Sequence, residues 1–170
     1  MILFKEDFNR HSDGAQPYSI VTEHNHKYSG YDGEVRNQTF YIKRRHSTCY
    51  LLMPGTVGFD MKAKLSYQIP TTGDYDFEPA WGIYFGYDRF RRSGYQLVLK
   101  YRNKSAEVLI TLFRKDGMNQ SEVGSRTIYN VSIQPSDCVD FEMRFDDGCV
   151  KVGLLDKVVS FAIEPKYGLI

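Results

Sequence analysis

Residues 139–154 read VDFEMRFDDGCVKVGL. Val139, Phe141, Met143 and Phe145 alternate with Asp140, Glu142, Arg144 and Asp146. On an extended chain successive side chains point to opposite faces, so the apolar set shares one face and the charged set the other. Asp147-Gly148 follows, and the alternation resumes at Val150, Val152 and Leu154. Asp-Gly between two alternating runs is the strongest short-range signal for a β-hairpin. This stretch therefore predicts two antiparallel strands with one buried and one wet face.

The same period of two extends outward. Phe59, Met61, Ala63, Leu65 and Tyr67 alternate with Asp60, Lys62, Lys64, Ser66 and Gln68. The middle is more apolar: Trp81 to Tyr87, Tyr95 to Tyr101 and Glu107 to Phe113 read as strands separated by short polar turns. Near-continuous apolar runs predict strands covered on both faces, or strands with one face holding a ligand. Shorter strand signals fall at Ile2 to Phe8, Tyr18 to Glu23, Glu34 to Arg36, Thr39 to Lys43 and Cys49 to Met53. Later ones fall at Thr127 to Ile133, Val158 to Ile163 and Tyr167 to Ile170. No segment sustains a 3.6-residue period. Composition agrees: Tyr 13, Phe 11 and Trp 1 in 170 residues favour strands, and alanine, the best helix former, is scarce. The expectation is an all-β, two-sheet antiparallel β-sandwich, a jelly roll, filling residues 1–170 as one domain.

Charge narrows the functions. Lys plus Arg is 22 and Asp plus Glu 21, a net charge of +1. Without a basic surplus, no nucleic-acid partner is expected. No run approaches ~20 apolar residues, so no membrane-spanning helix is expected. The opening MILFKEDFNR lacks a basic start, and its apolar run ends at Lys5, unlike a secretion signal. Cys49, Cys138 and Cys149 are odd in number, without metal-type spacing, and are expected to be unpaired thiols. These features predict a cytoplasmic setting. Asn37, Asn103, Asn119 and Asn130 open N-x-S/T triplets and, without a secretion signal, read as polar strand edges.

Three features bear on chemistry. Asp74, Asp76 and Glu78 lie in the Pro- and Gly-containing loop 68–79. Alternate positions on an extended chain share a face, so the acids would suit a calcium ion, a glycosidase pair, or only a solvated loop. A loop desolvates carboxylates poorly, which argues against catalysis. His24 and His26 would share one side of an extended segment, yet no third metal ligand is spaced to join them. Nucleophile, zinc and phosphate-loop motifs are all missing from the sequence. The third feature is the aromatic and basic cluster Trp81, Tyr84, Tyr87, Phe90, Arg91, Arg92 and Tyr95. Alternation puts Trp81, Ile83, Phe85 and Tyr87 on one face and Gly82, Tyr84, Gly86 and Asp88 on the other. The two glycines leave room beside Tyr84. Flat rings match the C–H faces of sugars, and polar groups match their hydroxyls. The expected ligand residues are Tyr84, Tyr87, Arg91, Arg92 and Tyr95.

The order of these pieces resembles the concanavalin A-like lectin/glucanase superfamily. It is carried by Phe4 to Phe8, Gly33 to Lys43, Phe59 to Leu65, Trp81 to Gly86 with Tyr95 to Leu97, Val139 to Phe145, and Tyr167 to Ile170. Within that superfamily the pattern is most similar to laminin-G-like sandwiches and to sandwich domains attached to bacterial glycosidases. The resemblance implies a curved two-sheet jelly roll, an oligosaccharide or polysaccharide on one sheet, and in many members a rim calcium. The E-x-D-x-x-E strand motif of the glucanase members is missing. A non-catalytic carbohydrate-binding or accessory module is therefore expected, with a catalytic domain in the same protein as a partner. A glycoside hydrolase and a structural or protein-interaction sandwich are the alternatives.

Overall fold

The computed structural model describes residues 12, 15, 20–24, 33–37, 39–42, 47–51, 60–67, 78–88, 93–146 and 148–164. The chain forms two compact units, Met1–Gly55 and Thr56–Ile170. In the first unit, β1 (Ile20–His24) pairs antiparallel with β4 (Ser47–Leu51). There, β2 (Gly33–Arg36) pairs with β3 (Thr39–Ile42) across a tight turn that Asn37 enters at φ 47°. Asparagine tolerates this left-handed conformation better than most residues. The Val35 N–H donates to the Ala15 carbonyl at 2.9 Å.

The second unit is a two-sheet antiparallel sandwich. One sheet runs β6 (Ala80–Asp88), β7 (Ser93–Arg102), β8 (Glu107–Asp116), β9 (Asn119–Tyr129) in spatial order. The other sheet runs β12 (Lys157–Ala162), β11 (Cys149–Leu154), β10 (Val139–Asp146), β5 (Met61–Leu65). The chain leaves one sheet after β5, builds the other as a meander, and returns, so β5 pairs with β10 far along the sequence. Antiparallel partners joined by crossings between sheets are the connectivity a jelly roll uses. The hairpin predicted at Asp147-Gly148 joins β10 to β11, with Asp146 opposite Cys149 and Gly148 at φ 75°. Its left-handed φ suits glycine. Only a three-residue 3-10 turn, Asn103–Ser105, is helical among the described residues.

The inner faces share one core. Leu97, Leu99, Ile110 and Leu112 of the first sheet are fully buried with Met143, Val150 and Val152 of the second. Trp81, Ile83 and Phe85 take the inward face, as their alternation predicts. Phe85 stacks on Tyr95 at 5.4 Å and meets Phe145 of the other sheet edge-on at 5.1 Å.

Tyrosine hydroxyls tie irregular backbone to this core. Tyr67 donates to the Ile133 carbonyl at 3.0 Å, and the Ile133 N–H donates to the Tyr101 hydroxyl at 3.2 Å. The β9–β10 crossover buries Val131 and Ile133 in this way without belonging to either sheet. A strand over Thr127 to Ile133 was expected. The strand instead ends at Tyr129, because Asn130 turns left-handed at φ 59°. β9 also begins eight residues earlier than expected, in polar sequence.

The outer face of the β5/β10/β11/β12 sheet is a charge lattice. Glu142 contacts Arg144 at 2.7 Å and Lys62 at 3.2 Å, and Asp146 accepts from Lys151. Cys138 is exposed and Cys149 half-buried, and both are free thiols. The side chain of Cys49 lies outside the described residues.

Two outcomes follow. Leu97→Ala empties part of a fully buried site and should cost about 2–5 kcal/mol, read as a lower urea midpoint at unchanged slope. A loss below about 1 kcal/mol would contradict the single packed core. The bond from Arg144, reinforced by Lys62, holds the Glu142 carboxyl below its ordinary range against partial desolvation. The bond from Lys151 and its charge do the same for Asp146. Depressed folded-state values mean these pairs contribute stability above the ordinary carboxylate pKa and lose it as pH falls through the folded values. Both pairs are exposed, so the stability effect is small. Carboxyl-carbon NMR titration should place both midpoints below the ordinary values and move them up in concentrated salt. Midpoints at ordinary values would show that the pairs do not persist in solution.

Candidate functional site

The register of the β6–β9 sheet sorts its outward side chains into rows, because directly paired residues of neighbouring strands share a face. Tyr84, Gln96, Phe113 and Glu122 form one row. Gly82, Val98, Thr111 and Ser125 form the next, and Ala80, Lys100, Leu109 and Thr127 the one beyond. Tyr84, Val98, Leu109 and Phe113 are all half-buried. This outer face is therefore aromatic and aliphatic at its centre, unlike the lattice of charges on the other sheet. The sequence signal for it was the middle block in which both alternating positions are apolar.

Polar groups frame the rings. Lys115 Nζ stands 5.2 Å from the centre of the Tyr84 ring, a cation–π contact. Its side chain crosses β7 at Gly94, its paired residue, which carries no side chain to block the way. Gln120 Nε2 donates to Gln96 Oε1 at 3.4 Å. Thr111 is 7% exposed, and its Oγ1 lies 3.1 Å from Ser125 Oγ. Ser125 donates in turn to Glu122 Oε1 at 2.6 Å. A Cβ placed on Gly82 would meet only Gln96 Nε2 among the described atoms, at 3.8 Å. The sheet is thus uncrowded at Gly82, beside the Gln96 amide.

The expected site residues separate. Tyr84 takes the outward face, as alternation predicts. Tyr95 does not join it. Paired with Phe85, it points inward, is 1% exposed, and its hydroxyl accepts the Glu164 N–H at 3.0 Å. Tyr95 is a core residue, because a ring opposite Phe85 shares the face of Phe85. Gly86 also has another cause than ligand room: it adopts φ 54° where the β6–β7 register shifts between Phe85 and Asp88. A left-handed residue at a β-bulge favours glycine for its backbone alone. The Tyr87 side chain and residues Arg91 and Arg92 lie outside the described residues, as do Asp74, Asp76, His26 and the His24 side chain. Glu78 is engaged by Lys100 in an ion pair. Groups of three metal-type side chains are absent among the described residues.

The outward residues that the sequence did not single out are Gln96, Thr111, Phe113, Lys115, Glu122 and Ser125. Once Leu97 and Leu99 are known to be inside, the intervening positions of β7 and their partners on β8 must be outside. Glu122 had no local signal, since β9 carries no alternation.

No protein-family model and no curated protein matches the chain. Among solved structures, the chain is similar to a carbohydrate binding module, CBM66, from Bacillus subtilis. The TM-score is 0.45 and the identity 16%, and the match covers 64% of this chain and 60% of that module.

Proposed function

We propose that this chain is a non-catalytic carbohydrate-binding or accessory module whose ligand lies on the outer face of the β6–β9 sheet. The contrast between the two outer faces carries the reading. One face is dominated by paired charges, Glu142 with Arg144 and Lys62, and Asp146 with Lys151. The other carries half-buried rings and aliphatic carbon among amides and hydroxyls. Sugars combine apolar C–H faces with directional hydroxyls, and a patch of this mixed kind meets both. The Tyr84 and Phe113 positions stand two strands apart, about 10 Å at the usual strand spacing. That separation suits an extended oligosaccharide better than a single ring. A catalytic domain in the same protein would be the natural partner.

The acids support a binding role over hydrolysis. Glycosidases place two carboxyl groups about 5–9.5 Å apart. On this face Glu122 sits opposite Phe113, whereas Glu107 lies six residues back along β8, about 20 Å away at ~3.3 Å per residue. Glu107 is also held by Arg102 at 2.9 Å. Glu78, another described acid that reaches this face, lies near Arg102 as well and is engaged by Lys100, so both acids at that end are held by cations.

Affinity electrophoresis against soluble neutral polysaccharides (a β-glucan, a xylan, a mannan and an arabinan) tests the proposal. Tyr84→Ala should weaken retention by about 1–3 kcal/mol, the loss of one stacked ring, taking base stacking as the guide. Circular dichroism should show the variant folded, because Tyr84 faces away from the core. No retention of any polysaccharide by the unaltered chain would overturn the reading. So would unchanged retention by folded Tyr84→Ala, or release of reducing ends from a retained polysaccharide.

A further inference from the structure

We infer that Glu122, aimed by a β-bulge and tied to Thr111 through Ser125, selects neutral sugars over uronic acids on this face. The inference rests on the carbohydrate-binding reading above.

Glu122 owes its place to backbone irregularity. Residues three apart in a regular strand point to opposite faces. Here Ser125 pairs with Thr111 and Glu122 pairs with Phe113, both outward positions, because the β8–β9 register shifts between Leu112 and Phe113. The extra residue in β9 turns Glu122 back to the face that Ser125 occupies. A bulge costs ladder pairing locally, and a recurrent use of one is to re-aim a side chain. The 2.6 Å bond from Ser125 to Glu122 confirms the shared face.

Proton counting then sets the direction of the chain. A serine hydroxyl has one proton. Ser125 gives its proton to Glu122, so across the 3.1 Å contact Thr111 must be the donor and Ser125 the acceptor. Both hydroxyl protons point toward the carboxylate. What Thr111, Ser125 and Glu122 leave for a ligand at this end of the row is acceptor capacity: the second Glu122 oxygen and the remaining lone pairs. Amide donors lie beside this chain, at Gln120 on β9 and at Gln96 toward Tyr84. Gln96 Oε1 is taken by Gln120, and its Nε2 lies beside the open Gly82 position.

A ligand spanning the row must therefore donate at Glu122 and accept at Gln96, which a neutral sugar with several hydroxyls does. A uronic acid brings a carboxylate that cannot donate and is repelled by Glu122. Lys100 is paired with Glu78 and Lys115 lies over the Tyr84 ring, so neither stands at Glu122 to offset that repulsion. Burying like charges together is a common way to reject a competitor.

The probes are the four neutral polysaccharides above and, for acids, polygalacturonate and alginate, all applied to the full chain. The unaltered chain should retain at least one neutral polysaccharide and neither acidic one. Glu122→Gln keeps the shape and an oxygen for Ser125 but replaces acceptor and charge with an amide donor. It should bind the neutral ligand about 10- to 100-fold more weakly, the loss of a charge-assisted hydrogen bond, and gain retention by the acidic ones. Ser125→Ala keeps the charge but frees the carboxylate. It should lose neutral affinity severalfold and still reject the acids, which separates aiming from charge. Equal retention of neutral and acidic polysaccharides by the unaltered chain would overturn the inference. So would a folded Glu122→Gln indistinguishable from it on both sets, with carbohydrate binding itself intact. Retention of no polysaccharide at all would instead overturn the underlying carbohydrate reading.

Discussion

Phe85 lies against Tyr95 across the β6–β7 pair and meets Phe145 of the opposite sheet edge-on. This three-ring contact joins the two layers of the sandwich, and it sets parity for the whole β6–β9 sheet. With Phe85 and Tyr95 inside, Leu97 and Leu99 follow inside, and Tyr84, Gln96 and Val98 must face out. A slip of one residue would exchange the two sets and put Gln96 and Lys100 in the core. The apolar interior therefore selects, by exclusion, which side chains face outward.

Two glycine-linked or bulged irregularities modify that parity, and they have different origins. At Gly86 the backbone turns left-handed as the β6–β7 register shifts, near the end of β6. At Leu112/Phe113 the shift lies within the β8–β9 pairing and brings Glu122 and Ser125 to one face. The edge strand β9 absorbs the second shift readily, because only one neighbour constrains it. Two of its carbonyls are covered by side chains: Arg126 Nη1 donates to Ser125 at 2.8 Å and Lys157 Nζ to Tyr129 at 2.6 Å. Cationic cover on an exposed edge discourages pairing with another chain.

Tyrosine does three jobs in this molecule, and composition cannot separate them. Tyr95 and Tyr101 are core rings whose hydroxyls hold backbone N–H groups of Glu164 and Ile133. Tyr67 pins the crossover from outside the strands, and burial pushes its hydroxyl pKa up, with Tyr101 and Asp137 adding to the effect. Tyr84 faces outward. Tyr84 and Tyr95 lie eleven residues apart in one aromatic cluster, yet the hairpin between them puts them on opposite sides of the sheet.

Period-two alternation by itself determined the all-β class, the Asp147-Gly148 hairpin, the outward position of Tyr84 and the inward one of Trp81, Ile83 and Phe85. These are legible because each depends on local geometry: an extended chain alternates its side chains, and a two-residue turn needs particular residues. Tertiary pairing alone decided that Tyr95 is core, since its face depends on standing opposite Phe85. It also decided that Asn119 to Arg126 is strand, because hydrogen bonds to β8 hold polar residues that no apolar pattern marks. The crossover at Val131 and Ile133 looks like strand in sequence, yet Asn130 turns the backbone away and buries both residues as loop. Glu122 is the clearest case. Its face is set by one extra residue in a register between two strands, a property of the pair that neither strand carries alone.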